Sequence, residues 1–276
     1  MEPQKSLHRL LNALGAAGGR PISLRRVFRG AAAGGRTGAA PALEGGEEAS
    51  AWARDQLARA RSLRVQLEVV EGRHADAELS ELADPPLLLY WRGFRGVRAL
   101  RRVAIVGARD ADSYGLRVAE MLGRSLAAHG ICVVSGGARG IDCAAHRGAL
   151  AAGGRPLAVL ACGLDRLTPV ASRRVFERIL SGGGALVSEY PLGWRSRRED
   201  FPDRNRLIAA FSHAVVVVQA RERSGTLHTA RAALALGRQV LVVPGDLCYA
   251  LSQGSNRLLA RGEARACCGP EDVLAA

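Results

Sequence analysis

The sequence is almost without lysine. Lys5 is the only one among 39 basic residues, so arginine carries nearly all of a formal charge of +13. The main glycine-rich loop, described below, therefore lacks the lysine of a Walker A motif, which disfavours triphosphate hydrolysis. The six cysteines, Cys132, Cys143, Cys162, Cys248, Cys267 and Cys268, contain no C-x-x-C pair, and no histidine cluster has metal-ligand spacing. No metal and no structural zinc are expected, and a reduced, cytoplasmic protein is. No apolar run is long enough to span a membrane. The N-terminus has no signal-peptide core, because Leu10-Leu11 is soon followed by Gly15, Gly18 and Gly19.

What is present is the composition of a globular chain. Its 276 residues are 48% hydrophobic and its mean hydropathy is +0.02, enough to bury a core. A pI near 10.7 fits a polyanionic partner such as nucleic acid. The abundance of Arg, Ala and Gly is equally what a GC-rich genome would give.

The first 60 residues read as a small helical region. Leu7, Leu10, Leu11 and Leu14 form one helical stripe that Gly15 would stop, and a shorter apolar patch follows at Ile22, Leu24, Val27 and Phe28. Residues 30–50 are rich in Gly and Ala and read as a linker, with a second helix from Ala51 through Trp52 and Leu57. Arg64 to Val70 alternates as a short strand does, and Asp84-Pro85-Pro86 breaks the chain before Leu87 to Trp91.

Beyond Arg101 short apolar runs alternate with helical stretches. They are Val103–Val106, Ile131–Val134, Leu157–Ala161, Ala185–Val187, Ala214–Val218 and Val240–Val243. Runs apolar throughout belong to strands buried on both faces, so the expected fold is α/β with a doubly wound, mostly parallel sheet. Ligands of such sheets sit at the carboxyl ends of the strands, near the switch in strand order.

The loops at those ends carry the candidate site residues. Ser135-Gly136-Gly137-Ala138-Arg139-Gly140-Ile141-Asp142 joins a strand to a helix, and its three glycines allow close backbone approach to an anion at the helix start. The order of its glycines is not that of the dinucleotide fingerprint G-x-G-x-x-G. Gly107 and Arg109 follow the first strand of this region, where Arg109 can grip a phosphate and Ser113 is the expected N-cap. Phe201, Arg204, Asn205 and Arg206 place basic groups beside an aromatic ring that can stack a base. Ser224, Gly225, Thr226 and Thr229 form a second anion-binding candidate at a helix start. Asp142 and His146, four apart on a helix, are either an acid/base pair or an N-cap and a hydrogen-bonded structural histidine; the second is expected.

In order, these motifs resemble the DNA processing protein A family (DprA/Smf). The resemblance runs from about Asp84 to Leu274. It includes Val103-Ala104-Ile105-Val106-Gly107-x-Arg109, Ser135 to Asp142 with Ala145-His146, Gly163-x-Asp165 and Ser188-Glu189-Tyr190-Pro191-x-Gly193. It continues through Phe201-Pro202-x-Arg204-Asn205-Arg206-x-Ile208, Ser224-Gly225-x-x-x-Thr229-Ala230, Gly237-Arg238, Pro244-Gly245 and Gly254-Ser255-Asn256. It implies an extended Rossmann-like domain over 61–276 behind the helical region 1–60. It also implies single-stranded DNA and the RecA recombinase as partners in natural transformation, a homodimer, no cofactor and no catalytic residue. Arg109, Arg139 and residues 204–206 would then contact the DNA backbone, and Gly136, Gly137 and Gly140 would supply amides. Departures are Ala108 where the family has Ser or Thr, His74-Ala75 and Thr168-Pro169 in place of Tyr-Pro pairs, and no winged-helix tail.

Two other readings compete. A nucleoside-phosphate hydrolase on a related scaffold would carry a glutamate where Thr229 stands, and a hydroxyl cannot replace a carboxylate as base near neutral pH. Glu189 is the only nearby substitute to propose. A sensor of a small nucleotide, without chemistry, is the other.

Overall fold

A computed structural model describes residues 2–16, 47–70 and 77–276. These divide into two compact units. One comprises Met1–Trp91, Cys162–Arg166 and Ser188–Arg195, the other Arg92–Ala161, Leu167–Val187 and Ser196–Ala276. The apolar patch at Ile22–Phe28, the linker through residue 46 and His74-Ala75 lie outside the described residues.

In the smaller unit, α1 (Glu2–Ala16) buries Leu10, Leu11 and Leu14 as its stripe requires. It packs on α2 (Glu47–Ser62), where a Cβ on Gly15 would stand 3.3 Å from Ala49. The second helix thus starts four residues before Ala51, with Glu47 and Glu48 in its first turn, where the helix dipole favours acidic groups. Then come β1 (Val65–Val69), α3 (Ala77–Ser80) and β2 (Leu88–Gly93).

The two distant segments of this unit carry the Gly-x-Asp and Ser-Glu-Tyr-Pro-x-Gly motifs, and their bonds explain those residues. Buried Gln56 on α2 donates to the Leu192 carbonyl (3.1 Å) and accepts from its N–H (2.9 Å). Asp165 accepts from the Gly193 N–H (2.7 Å) and pairs with Arg59. Ser188 donates to the Cys162 carbonyl (2.7 Å) and accepts from the Tyr190 N–H (3.0 Å). These polar residues brace loops to α2 and to each other, satisfying backbone groups that burial would otherwise leave unpaired.

The larger unit holds the six expected strands, β3 (Arg102–Val106), β4 (Cys132–Ser135), β5 (Leu157–Leu160), β6 (Ala185–Ser188), β7 (Ala214–Val217) and β8 (Gln239–Val242), and a two-residue β9 (Arg265–Ala266) that no apolar run announces. Their order is β6-β5-β4-β3-β7-β8-β9, and the pairs β3–β4, β3–β7, β4–β5, β7–β8 and β8–β9 are parallel. Strand order reverses at β3, which is the doubly wound topology read from the apolar runs. The helices are α4 (Ser113–Ala128), α5 (Ile141–Ala151), α6 (Arg173–Ser181), α7 (Asp200–Ala210), α8 (Thr226–Ala235), α9 (Ala250–Ala260) and α10 (Pro270–Leu274). No helix among the described residues is long and apolar enough to cross a membrane.

The core joins Val103, Ile105, Val133, Val216 and Leu241 of the sheet to Leu122 and Leu126 of α4 and Ala144, Ala145 and Ala149 of α5. The alanine richness of α5 has a packing cause. A Cβ on Gly123 would lie 2.3 Å from the Ala145 carbonyl, and one on Gly148 would lie 2.0 Å from that of Glu120. The two helices touch backbone to backbone, and larger side chains would part them. Cys132, Cys143, Cys162 and Cys267 are buried, as expected of small hydrophobes, and no cysteine is in a disulfide.

Two expectations are corrected. The α4 N-cap is Asp112, whose carboxylate accepts from the Gly115 N–H (2.8 Å); Ser113 is exposed in the first turn. The N-cap of α5 is Gly140, not Asp142. His146 is fully buried, and neither ring nitrogen has a hydrogen-bond partner. It forms no acid/base pair with Asp142 and is no hydrogen-bonded brace. Burial drives its pKa down to about 3.

The unfolded chain therefore binds a proton near pH 6.5 that the folded protein refuses. The stability linked to this group is complete above pH 6.5 and lost as pH falls toward 3. Between pH 7 and pH 5 the loss is about 2 kcal/mol. Urea unfolding of His146→Leu at those two pH values should show a pH-dependent loss smaller than the wild-type loss by about that amount. An equal loss in both proteins would mean that His146 is protonated in the fold.

Candidate functional site

A cleft of about 410 Å³ opens at the carboxyl ends of β3, β4 and β7, beside the point where strand order reverses. Its walls are the loop after β3 (Gly107 to Asp110), the loop before α5 and that helix's first turn (Ala138 and Asp142), one face of α7 (Phe201 to Ile208) and the loop before α8 (Arg221 to Thr226). Five arginines, Arg109, Arg198, Arg204, Arg221 and Arg223, face two aspartates, Asp110 and Asp142.

The floor is built around Arg204. This guanidinium is 4% exposed, and its Nη1 donates to the carbonyls of Gly136 (2.8 Å) and Val159, while Nε donates to Asn205 Oδ1 (3.2 Å). Asn205 Nδ2 donates in turn to the Gly225 carbonyl (3.1 Å), tying α7 to the loop before α8. Gly136 is where the guanidinium passes closest to the chain. A Cβ there would stand 2.6 Å from Arg204 Nη2 and 2.9 Å from Asp142 Oδ2. Asp142 is buried and accepts from the Ala138 N–H (3.2 Å). Burial pushes its carboxyl above the ordinary range, against the opposing pull of Arg204.

The glycine-rich loop is thus partly satisfied from within. Its Ala138 amide is taken by Asp142, and the first amide of α5, on Ile141, donates to the Ala108 carbonyl (3.2 Å). Gly140 has φ +83°, and a Cβ on it would stand 2.3 Å from that same carbonyl, so only glycine lets the two loops close on each other. Gly107 has a similar task, since Ile141 sits where its Cβ would be. At the other helix start, Ser224 Oγ accepts from the Thr226 N–H (3.2 Å) and donates to Thr226 Oγ1 (3.1 Å).

The rim is different. Arg109 is exposed and stacks on Phe201, 4.5 Å from the ring centroid. Arg198 and Arg223 are exposed and make no ion pair among the described residues. Arg221 pairs with Asp110 (2.7 Å), and that bond first of all holds the Asp110 carboxyl below its ordinary range.

Of the residues singled out in the sequence, Gly107, Arg109, Phe201, Arg204, Asn205, Ser224, Gly225, Thr226 and Thr229 line the cleft together. Ser113, Ser135, Gly136, Gly137, Arg139, Gly140 and Arg206 do not. Ser135 is buried and donates to the Ile105 carbonyl (2.7 Å), and Gly136 and Gly137 lie buried behind the floor. Arg139 is exposed near Asp110. Sequence reasoning missed Arg198, Arg221 and Arg223. Two of them flank the Ser224-Gly225 motif closely enough in sequence to have been included with it; Arg198 gave no such signal.

The model of the family described as DNA recombination-mediator protein A matches residues 70–276. The DNA processing protein DprA of Streptococcus pneumoniae is 39% identical over 199 residues, which are 72% of this chain and 69% of that one. Three further curated relatives, two of Mycobacterium tuberculosis and one of Escherichia coli, are matched over 42–52% of their length, so the chain spans about half of them. The X-ray structure of the pneumococcal DprA superposes with a TM-score of 0.79 at 28% identity, covering 98% of this chain and 97% of that one. A structure of DNA processing protein A from Helicobacter pylori, described as giving insight into its single-stranded DNA binding mode, has a TM-score of 0.68 at 31% identity. It covers 75% of this chain and 94% of the other.

Floor and rim arginines should behave differently in unfolding experiments. Arg204→Ala strands two carbonyls and the Asp142 carboxyl, and should cost about 3 kcal/mol in urea unfolding. Arg198→Ala should stay within about 0.5 kcal/mol of wild type. Equal costs would mean that Arg204 does not hold the floor together.

Proposed function

This chain belongs to the DNA recombination-mediator protein A family, and we propose that it binds single-stranded DNA, protects it in natural transformation and loads the RecA recombinase onto it. The observation that carries this reading is the division of labour in the cleft. A buried arginine bonded to the protein's own carbonyls sets a positive floor, while exposed Arg109, Arg198 and Arg223 stand at the rim with donors to spare. A phosphate meeting that rim is held by charge-assisted bonds without competing for the bonds that keep the site in shape. Phe201, beneath Arg109, offers a ring on which a neighbouring base can stack, which every base can do and a stacked duplex cannot.

The reading is one of binding without turnover. The cleft carboxylates are engaged, Asp110 with Arg221 and Asp142 with the Ala138 amide, and Thr229 offers only a buried hydroxyl. A hydrolase would need a carboxylate poised over the ligand. The proposed working form is a homodimer. It draws support from Tyr114 and Met121, seven residues apart on α4 and 46% and 47% exposed, an apolar stripe that a second copy would cover.

Binding of oligonucleotides across a salt series tests the proposal. Single strands should bind more tightly than duplexes and mononucleotides, with affinity falling steeply as salt rises because bound phosphates release counterions. Arg109→Ala should weaken all sequences alike and flatten the logarithmic salt slope by about 0.7 to 1. Tighter binding of a free nucleotide than of a single strand would overturn the proposal, and an unchanged slope would remove Arg109 from the phosphate path.

A further inference from the structure

The cleft does not end at Arg223. Arg223, Ser224, Gly225 and His228 also line a second depression of about 300 Å³ on the outer side of the loop before α8. Its residues Glu222, Arg223, Leu227 and Arg231 in turn line a groove of about 300 Å³ between α8 and α9. The three cavities are therefore joined by shared walls, one after another.

The groove has a consistent build. On α8, Leu227 and Arg231 are four residues apart and share a face. On α9, Gly254, Arg257, Leu258 and Arg261 fall at i, i+3, i+4 and i+7, a single stripe ending just past the helix. Leu227 and Leu258 are buried beneath the groove, and the chain passes close at Gly254, where a Cβ would stand 2.3 Å from the Arg221 carbonyl. Its sides are charged. Arg257 pairs with Glu222 (2.9 Å) and Arg261 with Glu263 (3.8 Å), whereas Arg223 and Arg231 make no ion pair among the described residues. Four arginines against two glutamates leave the groove positive, and both ion pairs are exposed and weak enough to exchange for a phosphate.

Isolated surface arginines over a solvated face would not require continuity with another cationic cavity, which the shared walls provide. We propose that the groove between α8 and α9 is a second binding site for the nucleic-acid backbone. It takes the phosphates of the single strand that leaves the cleft past Arg223. This inference rests on the cleft holding single-stranded DNA, and it makes the bound strand longer than the cleft alone accommodates.

Strand length separates the two sites. Fluorescence anisotropy of the full chain with oligothymidylates of about 5 and about 20 nucleotides compares a strand that fills the cleft with one that also reaches the groove. The double variant Arg231→Ala/Arg261→Ala should bind the long strand about tenfold more weakly at low salt, with a logarithmic salt slope flatter by about 1.4, two single-strand phosphates' worth. Its affinity for the short strand should match wild type, which also shows that the variant is folded. Wild-type affinity and slope on the long strand would overturn the groove while leaving the cleft standing, and so would an equal loss on both strands. Failure of the wild-type chain to bind either strand would overturn the cleft reading and the groove with it.

Discussion

The cleft depends on one buried contact, the Arg204 guanidinium lying against the backbone at Gly136. It joins α7 to the carbonyls at the ends of β4 and β5, and it stands beside Asp142. An arginine at 4% exposure is tolerable only because its donors meet carbonyls and a carboxyl lies close by. That contact dictates the glycine at 136, since any Cβ would intrude on the guanidinium. It also fixes Asn205, which bonds Arg204 on one side and the Gly225 carbonyl on the other. Loops that are far apart in sequence thereby become one rigid wall.

From this follows the separation of structural from available charge. The floor arginine is spent on the protein itself. The rim arginines are held loosely, by a ring under Arg109 and by solvent around Arg198 and Arg223. A site built this way changes little on binding, so little of the binding free energy is spent on ordering its loops. A related pattern, buried residues beneath with cations along the edges, recurs in the groove between α8 and α9, where Leu227, Leu258 and Gly254 lie beneath.

Much of this was legible in the sequence, because the parallel strands are apolar throughout and each is followed by a glycine or serine loop. The runs at Val103, Ile131, Leu157, Ala185, Ala214 and Val240 correspond to β3 to β8 within a residue or two. The loops collected at one edge because topology puts them there. Less legible was which polar group serves the protein and which faces outward. Arg204 reads as a ligand contact and is found inside the floor. Ser113 reads as a cap, yet Asp112 beside it performs that task. The Ser135 to Asp142 loop reads as a cradle of free amides, but Asp142 and the Ala108 carbonyl occupy two of its positions. Such assignments turn on tertiary neighbours that no local pattern contains. Arg198, Arg221 and Arg223 escaped notice for the same reason, in a chain where arginine is common everywhere.

The central claim is that the cleft holds the phosphates of a single strand at its arginine rim. A crystal structure of the chain with a short oligothymidylate tests it most directly. The account predicts a phosphate within hydrogen-bonding distance of at least two of Arg109, Arg198 and Arg223, with Arg204 still bonded to the Gly136 carbonyl. A strand bound elsewhere with the cleft unchanged, or Arg204 withdrawn from the floor to meet the phosphate, would contradict it.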